Sequence, residues 1–216
     1  MTFAEQLLVL ALDPKTGKFH ALPRKSLEIG LAGAFLLEMT FRKIIDSDAE
    51  KIIVLQEAYP QRPLLNSALQ VVREGDKEIP LRKAVGRLAL QGNLLVSKTL
   101  ESLVHEEILE KKDKIFFIKN RKAPIYPQAD ERMRADVIEQ VRELVLNPDE
   151  IPSPEETALL ALVEACRLQR KIFTEEERDE FEERFQQLAS MDLVGIAIVD
   201  AVRAARDKEL LDLAAE

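Results

Sequence analysis

The apolar positions of this chain fall mostly at helical spacing. The opening segment, Gln6 to Leu12, is preceded by Thr2 and Glu5, three residues apart, the spacing at which each side chain caps the other's backbone N–H. Asp13, Pro14 and Gly17 then form a turn. After Pro23 a helix is predicted over about Ser26 to Arg42. From Ile29 to Leu37 it has no polar face, and a helix that is apolar all round is buried on every side. Gly30, Ala32, Gly33 and Ala34 let neighbouring helices approach closely; that packing must offset the ~1 kcal/mol that each glycine costs a helix interior. Glu38 stands beside the apolar stretch and can pair with Arg42 one turn later.

Two short strands follow, Lys43 to Asp46 and Lys51 to Leu55. Pro63 opens a helix that ends near Gly75, and Pro80 opens another, to about Gln91. Gly92 separates it from a long helix, Leu94 to Lys111. Residues 111–122 read as a hairpin, ended by Pro124 and Pro127. A helix is predicted from Asp130 to Leu146. Ser153, Pro154 and Glu156 make a strong helix start, and that helix runs to about Lys171. Thr174 and Glu177 cap a charged helix carrying Phe181, Phe185 and Leu188, and Leu193 to Ala205 is again apolar. There is no internal repeat, and no linker long enough to divide the chain. The expected architecture is mainly α: a single compact helical domain over residues 1–216 with a protruding basic and apolar β-hairpin.

Charge changes the picture at one place. The 216 residues carry a formal charge of -8, yet 111–122 holds six cations and one anion around the apolar run Ile115 to Ile118. A short apolar segment between basic clusters suits an anionic surface. In a strand, Ile115 and Phe117 share one face, and Phe116 and Ile118 the other. Only one face can pack on the domain. The segment Lys114, Ile115, Phe116, Phe117, Ile118 and Lys119 is therefore expected to contact a membrane or a second copy of the chain. The competing reading is a strand that buries alternate side chains and solvates its lysines.

Candidate chemistry is sparse. Cys166 is the only cysteine, within an apolar run; it suits a buried position and a reducing cytoplasm. No signal peptide is visible, and no apolar stretch approaches the ~20 residues that span a bilayer. His20 and His105 are the only histidines, too few and too far apart for a zinc site. No glycine-rich phosphate loop and no nucleophile motif is present. The expectation is a non-enzyme without metal or cofactor.

Three segments together resemble the Golgi phosphoprotein 3 family. They are Glu5 to Asp13 followed by Thr16 and Gly17; Gly30 to Gly33 with Leu36, Leu37, Glu38 and Arg42; and Pro63 to Leu69. Leu103 to Leu109 is similar to the helix before that family's hairpin, and Ile115 to Ile118 to the hairpin's apolar strand. The resemblance implies a helical domain with a projecting hairpin, and peripheral membrane binding through phosphatidylinositol 4-phosphate. Eukaryotic members use this to hold glycosyltransferases in the Golgi. The match begins at the first domain helix, without a basic N-terminal extension, as expected of a prokaryotic-type member. The family's headgroup site uses a tryptophan and three arginines, and by spacing these fall here at Pro23, Ala32, Asn93 and Val96. None of those side chains is a charged donor, whereas a phosphomonoester is best held by arginine forks. Arg24, Lys25, Arg87 and Lys98 are the nearby cations that could compensate.

The first reading is thus a cytoplasmic peripheral-membrane adaptor whose partners are anionic lipid, phosphatidylinositol 4-phosphate included, and a second copy bound through the hairpin. A winged-helix nucleic-acid binder is the alternative, but Glu101, Glu106, Glu107 and Glu110 before the hairpin would repel phosphates. A third reading is an oligomerisation module without lipid binding.

Overall fold

In the computed structural model, residues 1–191 are described apart from 24, 49, 60, 117–120, 130 and 150, together with 200 and 204; for 113–116 and 121–123 the description covers backbone only. The helices are α1 (Phe3–Ala11), α2 (Ser26–Phe41), α3 (Pro63–Arg73), α4 (Leu81–Leu90), α5 (Gly92–His105), α6 (Glu131–Leu146), α7 (Pro154–Ala165), α8 (Gln169–Ile172) and α9 (Glu175–Ala189). The strands are β1 (Ile45–Ser47), β2 (Lys51–Val54), β3 (Glu78–Pro80), β4 (Lys112–Phe116) and β5 (Arg121–Ile125). The fold is mainly α with a hairpin, as expected.

Two helices form the centre. In α2 every residue from Ile29 to Met39 is buried, as its lack of a polar face requires. α1 is buried almost as completely and packs against α2, α5, α6 and α7. Gly30 is where α2 meets the end of α7: a Cβ there would overlap Cys166 Sγ. The buried Cys166 thiol donates to the Ser26 carbonyl at 3.3 Å. The capping boxes at Thr2, Ser153 and Thr174 all form.

Several boundaries differ from expectation. β1 starts at Ile45 rather than Lys43, because Lys43 adopts a left-handed φ of 53° that ends α2. A third strand, β3, occupies the approach to Pro80 and pairs antiparallel with β2, Ile52 opposite Ile79, both fully buried. The order is β1-β2-β3. The helix expected to reach Lys111 stops at His105, and Glu107 has φ 59°. The helix expected to reach Lys171 is two helices, broken beside Arg167 at φ 58°. The hairpin also continues through the anticipated stop: Pro124 lies within β5, opposite Asp113. Proline is tolerated because each strand of a two-stranded ribbon has a free edge. Phe117, Ile118, Lys119 and most of Leu193 to Ala205 lie outside the described residues, as do the side chains of Lys114, Ile115 and Phe116.

Candidate membrane-facing site

Of the headgroup positions implied by the resemblance, Pro23 lies just before α2, Ala32 within it, and Asn93 and Val96 in the first turns of α5, where α4 gives way to it. Pro23 is exposed at the foot of α2, and its carbonyl accepts the Ser26 N–H at 3.1 Å and the Ser26 hydroxyl at 2.8 Å. The first residue of α5, Gly92, abuts Glu28 so closely that a Cβ would overlap that side chain. Ala32 is fully buried in the core. Val96 is half-buried against the core, and Asn93 is exposed. The corner therefore sets the aliphatic stem of Glu28 against the first residue of α5.

The compensating cations are placed as follows. Arg87 is nearly buried and faces away from this role: its guanidinium donates to the Val72 carbonyl at 2.5 Å and pairs with Glu74 at 2.8 Å and Asp76 at 3.3 Å. It ties α4 to the end of α3. Lys98 Nζ pairs with Glu101 at 2.8 Å, one turn along α5. Lys25 is exposed, with φ 55°, and its carbonyl receives the Ile29 N–H at the start of α2. Arg24 lies outside the described residues.

What sequence reasoning missed at this corner is apolar. Leu90 is 86% exposed and Leu94 54%, four residues apart across the α4–α5 junction. Helical periodicity assigns leucines to the core, and only the turn at Gln91 swings this pair outward. Their flanks carry Lys83 and Lys98, both about half exposed.

A second hollow, of about 350 Å³, lies between α1, α2, α3 and α5 and contains the buried carboxylates Glu5 and Glu38. Neither is free for chemistry. Glu5 accepts from the Thr2 N–H at 2.7 Å and the Ser102 hydroxyl at 3.3 Å. Glu38 accepts from the Phe3 N–H at 3.1 Å and pairs with Arg42 at 2.6 Å, the partner expected from spacing. Both cap the start of α1.

The hairpin is anchored at both legs by backbone bonds. The Glu110 N–H donates to the Pro127 carbonyl at 2.8 Å, Ala129 to Ile108 at 3.0 Å, and Tyr126 to Gly17 at 2.7 Å. Lys112 Nζ pairs with Glu110 at 2.5 Å.

A search of curated proteins gives no match. The sequence model of Golgi phosphoprotein 3 (GPP34) matches residues 3–205. That match spans nearly the whole chain, and the chain belongs to the Golgi phosphoprotein 3 (GPP34) family.

Proposed function

We propose that the protein is a non-enzymatic peripheral-membrane adaptor that meets anionic lipid through its basic hairpin, with the Leu90–Leu94 corner as an apolar contact, and not through an arginine-lined headgroup pocket. The observation that carries this reading is the headgroup corner itself, where Ala32 is buried, Asn93 and Val96 are neutral, and Arg87 is committed to Glu74 and Asp76. The densest positive charge in the acidic sequence is then the hairpin. Among the described residues no helix is long and apolar enough to cross a membrane, so contact through them is at the surface. The hairpin's apolar run also suits pairing with a second copy.

Co-sedimentation with phosphatidylcholine vesicles tests this. Added phosphatidylserine should promote pelleting, and salt should weaken it, because exposed charges are screened over about 10 Å at 0.1 M ionic strength. Phosphatidylinositol 4-phosphate at matched charge should give no further gain. Lys114→Glu with Lys119→Glu should abolish pelleting, and Phe116→Ser with Ile118→Ser should reduce it, or reduce self-association, while the fold persists. Binding indifferent to phosphatidylserine, or selective for the phosphoinositide, would sink the reading.

A further inference from the structure

The loop that leaves α1 closes on a histidine. Asp13 to Gly17 forms the turn, with the Gly17 N–H on the Asp13 carbonyl and the Asp13 N–H on the Lys18 carbonyl, both at 2.8 Å. Leu12 then bridges Phe19, and the His20 N–H reaches the Ala11 carbonyl at 2.9 Å. The turn also carries the hairpin: the Gly17 carbonyl accepts the Tyr126 N–H at 2.7 Å, just beyond β5.

His20 is half-buried, but its Nε2 is shut off from water and has no hydrogen-bond partner among the described residues. The charges that act on it come from three elements: Asp13 in the turn, Arg134 in α6 and Lys171 in α8. Two of the three are cations. Asp13 is the counter-charge, and its Oδ1 already accepts the N–H groups of Lys15 at 3.1 Å and Thr16 at 2.8 Å. Neutral imidazole tolerates this setting, because one of its nitrogens carries no proton; imidazolium has an N–H on both. A proton taken up by His20 makes Nε2 a charged donor, away from water and without an acceptor. Such a donor costs more than a neutral one. Burial first, then Lys171 and Arg134, hold the His20 pKa below the ordinary 6.5, against the pull of Asp13. Opening the loop returns the ring to water and removes the cost.

We infer that His20 is a pH-sensitive latch on the hairpin stem: while the imidazole is neutral the 11–20 loop stays closed and Gly17 holds Tyr126, and when it takes up a proton the loop opens more readily and the joint loosens. The sign follows from linkage. A histidine whose folded pKa lies below its unfolded one leaves the closed joint at full strength above pH ~6.5, and weakens it as pH falls through that value toward the folded one. The latch is a property of the joint, independent of what the hairpin contacts.

Amide hydrogen exchange of the full chain, followed by NMR from about pH 7.5 to about 5, tests it. Expressed against the intrinsic rate at each pH, protection of the Gly17, His20 and Tyr126 N–H groups should fall together as pH falls, by up to about tenfold per unit, the limit for one proton. In His20→Gln the decline should vanish. Lys171→Gln, at an exposed site, should move the His20 imidazole to a higher titration midpoint and shrink the decline, and it carries the test if His20→Gln does not fold. His105 is the only other histidine and is exposed, so His105→Gln leaves the His20 imidazole signal by itself. Tyr126 should be less protected than the buried Leu36 of α2 at every pH, which marks the opening as local. Protection that is flat with pH, a decline that persists in His20→Gln, an imidazole that titrates at or above pH ~6.5, or a Tyr126 as protected as Leu36 overturns the inference.

Discussion

Single atoms decide how close the central helices come. Gly30 has no Cβ because Cys166 Sγ occupies that space, and the thiol in turn holds the Ser26 carbonyl. Gly30→Ala should cost about 1–3 kcal/mol through overpacking. Cys166→Ala should recover part of that loss in the double variant, since contacting residues couple. Denaturant midpoints of the four proteins measure the coupling, and strict additivity would argue against the contact. The sequence announced small residues along α2, but it could not say that Gly30 would meet Cys166, because that partner is 136 residues away. Glu38 with Arg42 was legible, being one helical turn apart. The Phe3 N–H on the same carboxylate was not.

At the level of elements, starts were read well and stops were not. Three helices begin with reciprocal side-chain caps, which are local patterns visible over four residues. Helix ends, by contrast, often use left-handed residues that are not glycine: Lys43 after α2, Glu74 after α3, Glu107 after α5 and Arg167 after α7. Such stops carry no compositional flag, and the helices expected to reach Lys111 and Lys171 were drawn too long in consequence. The strain offers a gain. Arg167 is exposed at φ 58°, so Arg167→Gly should raise stability by a few tenths to about 1 kcal/mol, the relief exceeding glycine's added entropy in the unfolded chain. An unfolding midpoint that falls would contradict this. The joint between α6 and α9 is a second element-level feature. Arg142 forks onto Glu177 at 2.9 and 2.5 Å and also reaches the Ile172 carbonyl at 2.9 Å. The Arg142 hydrogen bond, followed by the Thr174 backbone N–H, lowers the Glu177 pKa from 4.5 to about 2. A carboxylate with a depressed folded pKa stabilises fully above its unfolded value and loses that contribution as pH falls through the folded one. Wild type should therefore lose stability more steeply than Glu177→Gln between about pH 4.5 and 2. Parallel acid limbs would show the fork contributes nothing.

Over the whole molecule, the hairpin's aim is set far from the hairpin. Gly17 has φ 65°, and any Cβ there would run into the backbone of Tyr126 and Pro127, just beyond β5. Its carbonyl also holds the Tyr126 N–H. The stem is thereby bolted to the loop that leaves the central helix α1. A lever transmits torque only when its pivot is stiff, and this pivot is clamped from three directions by backbone alone. If the hairpin grips a bilayer or a second copy, as proposed, the bearing of the body, and with it of the Leu90–Leu94 corner, is set at one glycine near the start of the chain.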